Sequence, residues 1–253
     1  MYNQKKIDVI IPARMGSSRF PGKTLSDLNG RPMISRQIDR IRLSKYVDRI
    51  VLATTNLECD DILESWCTEN KILCFRGSSE NVLNRVYSTA KFYNSEYIVE
   101  ILGDNPLVDS EVINEAISKY FSESNIDFVT TLSREYKNYT NLDKYFPVGV
   151  RVQMLSYDLL KKLESIVSDD YNKEHSTSYI ISNQNEFNVH FLEANNKFQN
   201  SYLPNYNFAV NTEQQLSCVN DIFKNFEDNN FSLEEVVGLV ERNYRMFDNL
   251  KIN

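Results

Sequence analysis

Apolar and polar positions along the first half of the chain follow two periods that take turns. Residues 7–11 are apolar and rich in β-branched side chains, the pattern of a strand buried on both faces. Residues 33–43, entered through Pro32, place their apolar side chains at helical spacing. The rhythm continues with strand 49–54, helix 60–70, strand 72–75, helix 80–92, strand 97–102, helix 112–122 and strand 126–131. Such alternation predicts an α/β fold with a mainly parallel sheet and helices on both faces.

The second half breaks this pattern. Residues 148–154 alternate, which predicts a strand with one wetter face. A helix over 157–166 follows, then a polar stretch, a helix to 182 and a strand over 189–193. A short strand at 208–210 leads into a helix over 212–223, and 231–243 forms the last helix, with Ser232 as its N-cap. The Asn-, Tyr- and Ser-rich stretch 195–207 reads as a surface loop. There is no internal repeat, and no break in composition divides the 253 residues into two domains.

Charge adds a direction. The net charge of −7 argues against a general nucleic-acid binder, yet residues 1–49 carry eleven Lys or Arg against four Asp. A positive section in an acidic protein suits a small anionic ligand. Arg36, Arg40 and Arg42 read instead as the solvated face of a helix. The four cysteines lack the spacing of a zinc site, which leaves buried thiols as their reading. No apolar run reaches the roughly 20 residues of a membrane span, so a cytoplasmic protein without a membrane partner is expected.

The densest chemistry lies in Pro12-Ala13-Arg14-Met15-Gly16-Ser17-Ser18-Arg19-Phe20-Pro21-Gly22-Lys23-Thr24, directly after the first strand. Ligands of open α/β sheets bind at that end of a strand. Glycines allow backbone N–H groups to turn inward around an anion, while Arg14, Arg19 and Lys23 supply charge. The segment is not the phosphate loop of nucleoside triphosphatases, because Ser17 stands where that loop needs its first glycine. The dinucleotide fingerprint is absent as well.

This segment resembles the signature loop of the cytidylyltransferases that activate acidic sugars, the 3-deoxy-manno-octulosonate and acylneuraminate enzymes, and above all their spore-coat polysaccharide biosynthesis protein F-like branch. Four further stretches match in order: Arg76 to Arg85, Leu102-Gly103-Asp104-Asn105-Pro106, Lys173-Glu174-His175 through Ile180, and Val210-Asn211-Thr212. The resemblance implies a Rossmann-like, nucleotide-diphospho-sugar transferase fold and a single domain. A nucleotide-binding half would span about 1–131, an acceptor-binding and dimerisation part about 132–207, and a C-terminal strand and helices 208–253.

It also implies transfer of a cytidylyl group from CTP to an octulosonic or nonulosonic acid, with pyrophosphate leaving, for surface polysaccharide or glycan synthesis. Arg14, Arg19, Lys23 and Asp104 become the catalytic set. Ala13, Gly16, Ser17, Arg76, Ser78 and Asn81 join Arg14, Arg19, Lys23 and Asp104 around the nucleotide. Gly149, Arg151, Gln153, Glu174 and His175 fall to the acceptor. Asp104 and Asn211 fall to Mg²⁺, with Mn²⁺ as a substitute.

Local readings compete at several of these positions. Asp104 also suits a turn, Ser78 and Asn81 also suit a helix cap, and His175 also suits a helix end. Three departures from the branch stand out: Asn211 in the place of a second metal-binding Asp, Arg151 and Gln153 where acidic residues are commoner, and Ser178 in place of a proline. Arg151 opens a second reading, transfer to a sugar 1-phosphate or another phosphorylated acceptor. Asn211 opens a third, a nucleotide-binding protein with weakened catalysis. Such enzymes commonly form homodimers, and segment 134–145, with Tyr136, Tyr139 and Tyr145, is the expected extension toward the partner.

Overall fold

The protein is described by a computed structural model over residues 1–135, 144–194, 198 and 201–252. Its centre is a seven-stranded sheet in the order β3-β2-β1-β4-β6-β5-β7. The strands are β1 (Ile7–Pro12), β2 (Arg49–Thr55), β3 (Leu73–Gly77), β4 (Tyr97–Glu100), β5 (Phe128–Thr131), β6 (Gln153–Ser156) and β7 (Val189–Leu192). Only β6 runs against its neighbours, pairing antiparallel with both β4 and β5.

Successive strand residues feed opposite faces of the sheet. Val9 and Ile11 join a core with α1 (Met33–Arg42), α2 (Asp61–Glu69), α4 (Ser110–Tyr120), α8 (Glu213–Lys224) and α9 (Leu233–Arg242). Ile10, Ala53, Ile98 and Leu155 pack against α3 (Val82–Phe92), α5 (Tyr157–Ile166) and α7 (Ser178–Ser182) on the other face. The chain winds outward from β1 through β2 to β3, then returns to place β4 on the opposite side of β1. The resulting crevice beyond the carboxyl ends of β1 and β4 is where an open sheet receives its ligand.

The helix starts follow their sequences. Asn81, Asp109, Ser156, Thr212 and Ser232 each accept a backbone N–H at an N-terminus, and Ser232 with Glu235 forms a full capping box. Several expectations need correction. The alternating stretch at 148–154 yields a strand only from Gln153, because Gly149 turns the chain at φ +87° and Val148 pairs with residues 206–208. The expected wetter face shrinks to the half-buried Arg151, since Val150, Val152, Gln153 and Met154 are buried. Residues 208–210 form no strand. They make single bonds, Phe208 N–H to the Val148 carbonyl and Val210 N–H to that of Asp104.

Arg40 does not solvate a helix face. It is 2% exposed, donates to the carbonyls of Val108, Asn229 and Phe231, and stacks 4.0 Å from the Phe231 ring. Burial lowers its pKa to about 10. Cys59 is exposed, so not every thiol is buried. Within the expected loop 195–207, Leu203 and Tyr206 are core residues. Most of the expected dimer extension, Tyr136 and Tyr139 included, lies outside the described residues. Tyr145 packs inside the chain at 1% exposure.

Candidate active site

The loop after β1 is held from behind. Met15 donates its N–H to Asp60 Oδ1 at 2.6 Å, and the other Asp60 oxygen takes the N–H and hydroxyl of Thr55 at the end of β2. Asp60 is fully buried, just ahead of α2. Gly22, at φ +79°, lets the loop fold back so that its N–H reaches the Met15 carbonyl at 2.9 Å. The Thr24 hydroxyl then donates to the Arg14 carbonyl at 3.1 Å.

This closure aims Lys23 across the crevice. Its ammonium donates to Asp104 Oδ2 at 3.0 Å, the Val210 carbonyl at 2.7 Å and Asn211 Oδ1 at 3.0 Å. Arg19 Nη2 donates to the same Asn211 oxygen at 2.9 Å. An amide oxygen has two lone pairs, and here two cations occupy them. Asn211 therefore gathers the loop cations instead of offering an open metal ligand. Asp104 differs: its Oδ1 is buried with no hydrogen-bond partner. Asp104 can approach the loop because Gly103 precedes it; a Cβ on Gly103 would lie 2.7 Å from that of Ala13.

A cavity of about 250 Å³ opens here. Of the residues expected from sequence, it brings together Ala13, Arg14, Ser17, Arg19, Lys23, Asp104, Glu174, His175 and Asn211. Glu174 and His175 are exposed in the cavity lining, His175 with its ring 4.7 Å from that of Tyr171. Gly16, Arg76, Ser78, Asn81, Gly149, Arg151 and Gln153 do not line the cavity. Arg76 turns away to Asp61, Glu64 and the carbonyls of Thr55 and Leu57. The Ser78 hydroxyl accepts the Asn81 N–H, and Asn81 caps α3. Gly149 serves a close backbone approach, where a Cβ would sit 2.2 Å from the Ala209 nitrogen.

Sequence reasoning missed three residues: Asp60, Arg85 and Glu100. Arg85 lines the cavity from α3 while donating to the carbonyls of Ala53 and Ser78. Burial, aided by the nearby Arg14 charge, lowers its pKa to about 10. Glu100 ends β4 at 1% exposure, its oxygens 2.6 and 2.8 Å from the Ser176 hydroxyl. Burial pushes its carboxyl above the ordinary range, opposed by the Ser176 hydrogen bond and the charges of Arg151 and Arg85. Its register partner Gln153 donates to Thr177 Oγ1 at 2.7 Å, and Arg151 Nη2 reaches the same oxygen at 3.3 Å. A charged residue inside an otherwise apolar strand was the signal available for Glu100.

Three cations, hydrogen-bond acceptors at Asp104 and Asn211, and a His and a Glu in one cavity suit binding of a polyanion and its attack by a second substrate. No enzyme nucleophile is required. Comparison with known proteins agrees. Residues 9–246 match the cytidylyltransferase family. The chain is 31% identical to the spore coat polysaccharide biosynthesis protein SpsF of Bacillus subtilis over 92% of its own length and 93% of that protein. It is 33% identical to the 3-deoxy-manno-octulosonate cytidylyltransferase of Trichlorobacter lovleyi over about half of each chain, 51% and 50%. The structure of a cytidylyltransferase from Leptospira borgpetersenii superposes with a TM-score of 0.86 at 26% identity, covering 98% of this chain and 99% of that one. The switch-point cavity thus sits in a chain that belongs to the cytidylyltransferase family and is an enzyme of that kind.

Proposed function

We propose that the cavity binds CTP with its triphosphate over the loop 13–23 and transfers the cytidylyl group to an acidic sugar, an octulosonic or nonulosonic acid, in the supply of surface polysaccharide. The observation that carries this reading is the convergence of Arg19 and Lys23 with Asp104 and Asn211 at the carboxyl ends of β1 and β4. Arg14, Arg19 and Lys23 would neutralise and orient the phosphates, placing the α-phosphorus before an acceptor oxygen approaching from the Glu174–His175 wall. His175 would hydrogen-bond that acceptor or take its proton.

Asp104 suits Mg²⁺, since it lines the cavity and keeps one carboxylate oxygen without a hydrogen-bond partner. Among the described residues no three His, Cys, Asp or Glu side chains gather around a common point, so the ion would share its shell with phosphate oxygens and water. Bound there, Mg²⁺ would offset the charge that builds as pyrophosphate leaves. Transfer to a phosphorylated acceptor has less support, because Arg151 does not line the cavity and reaches Thr177.

The test is pyrophosphate release with each of the four nucleoside triphosphates, against octulosonic, nonulosonic and sugar 1-phosphate acceptors. Release confined to CTP with an acidic sugar is expected. Release with a sugar 1-phosphate alone, or binding of CTP without release, would overturn the reading.

A further inference from the structure

The Glu174–His175 wall cannot hold its own orientation. Glu174 ends one single-turn helix, α6 (Asp170–Glu174), His175 caps it, and a second, α7 (Ser178–Ser182), follows, each five residues long. Helices of that length gain little from their own hydrogen bonds. Both site residues are exposed, whereas the next two, Ser176 and Thr177, are 4% and 0% exposed and turn their hydroxyls into the protein. Ser176 shares its single proton between the two oxygens of Glu100. Thr177 accepts from Gln153 and Arg151.

A buried acid in the middle of a sheet is costly, and an apolar residue would fill the space without that cost. Glu100 has specific company instead. Arg85, a cavity residue on α3, and Arg151, entering β6, are near enough for their charges to act on it. A strand end next to the nucleotide site is thereby linked to the segment that bears His175.

We propose that Glu100 is a positioning residue for the acceptor wall: through Ser176 it sets how Glu174 and His175 face the cavity. The proposal rests on the reading that this wall receives the acceptor. Loss of the Ser176 hydroxyl should leave the nucleotide wall intact and disorganise the acceptor wall.

The test compares wild type, Ser176→Ala, Glu100→Gln, His175→Ala and the Ser176→Ala/His175→Ala pair. With 3-deoxy-manno-octulosonate as acceptor, Ser176→Ala should raise the acceptor KM about tenfold. The KM for CTP should stay within about twofold. Glu100→Gln, which keeps one acceptor oxygen for Ser176, should do less. In the His175→Ala background the Ser176→Ala effect should largely vanish, because both act through one group. A Ser176→Ala enzyme with a lower Tm but unchanged acceptor KM would overturn the proposal. So would equal effects on both substrates, or effects that multiply fully in the double variant.

If wild type turns over no acidic sugar, the reading of function fails separately. The proposal then stands or falls on hydrogen exchange with CTP and Mg²⁺ present. Faster exchange confined to residues 171–178 in Ser176→Ala, with CTP affinity unchanged, supports it. Unchanged exchange there overturns it.

Discussion

The two walls of the cavity are both anchored by a buried acid, but in different ways. On the phosphate wall, Asp60 grips the main chain, accepting the N–H groups of Met15 and Thr55. On the other wall, Glu100 grips a side chain, the Ser176 hydroxyl, with the charges of Arg151 and Arg85 acting on it. A main-chain anchor fixes the path of a loop whatever its side chains, which suits the proposed cradling of a constant triphosphate. A side-chain anchor depends on two particular residues and leaves the wall adjustable. Change of acceptor within one fold is more easily made on the second wall.

Asp60→Ala should have the largest effect. It strands three donors, two of them fully buried, and should lower stability by about 3 kcal/mol in chemical denaturation. CTP affinity should fall with it. If stability drops and CTP binds as before, the anchor does not govern the loop. Arg19→Ala comes next: it removes one charged contact to the triphosphate, so turnover should fall at least about tenfold. The Tm should barely move, since Asn211 keeps Lys23 as a partner. Wild-type kinetics would remove Arg19 from the phosphate wall.

The acid behind the other wall can be read by pH. Burial raises the Glu100 pKa above its ordinary value of 4.5, so the folded state holds this proton more tightly than the unfolded chain does. Its contribution is fully present below that ordinary value and is lost as pH rises through the raised one. Denaturation of wild type and Glu100→Gln across this range should show the balance moving toward the Gln variant as pH rises. A constant difference would mean that the pair of arginines cancels the cost of burial. The smallest effect belongs to Arg76→Ala, which should lose a little thermal stability and keep its kinetics, because Arg76 serves α2 and not the cavity.

The first wall was legible in the sequence and much of the second was not, for a physical reason. Arg14, Arg19 and Lys23 lie on one short loop with two glycines, so their meeting follows from local spacing. Asp104 needed only the expectation that strand ends share an edge, whereas Asn211, which follows no strand, came from the resemblance alone. Asp60 and Glu100 act by where the fold buries them, and spacing does not show burial. Arg76 misled because its segment resembles a base-binding one, while the carboxylates that capture it lie 15 and 12 residues earlier on another element. Arg151 and Gln153, expected at the acceptor, both donate to Thr177, a meeting between distant segments that no spacing in the sequence shows.

The central claim is that CTP is held on the phosphate wall by Lys23 and its neighbours. Titration of CTP and Mg²⁺ into wild type, Lys23→Ala and Arg151→Ala measures this without any acceptor. Wild type and Arg151→Ala should bind alike, and Lys23→Ala should bind at least about tenfold more weakly. Equal binding by Lys23→Ala, or a loss confined to Arg151→Ala, would contradict the account.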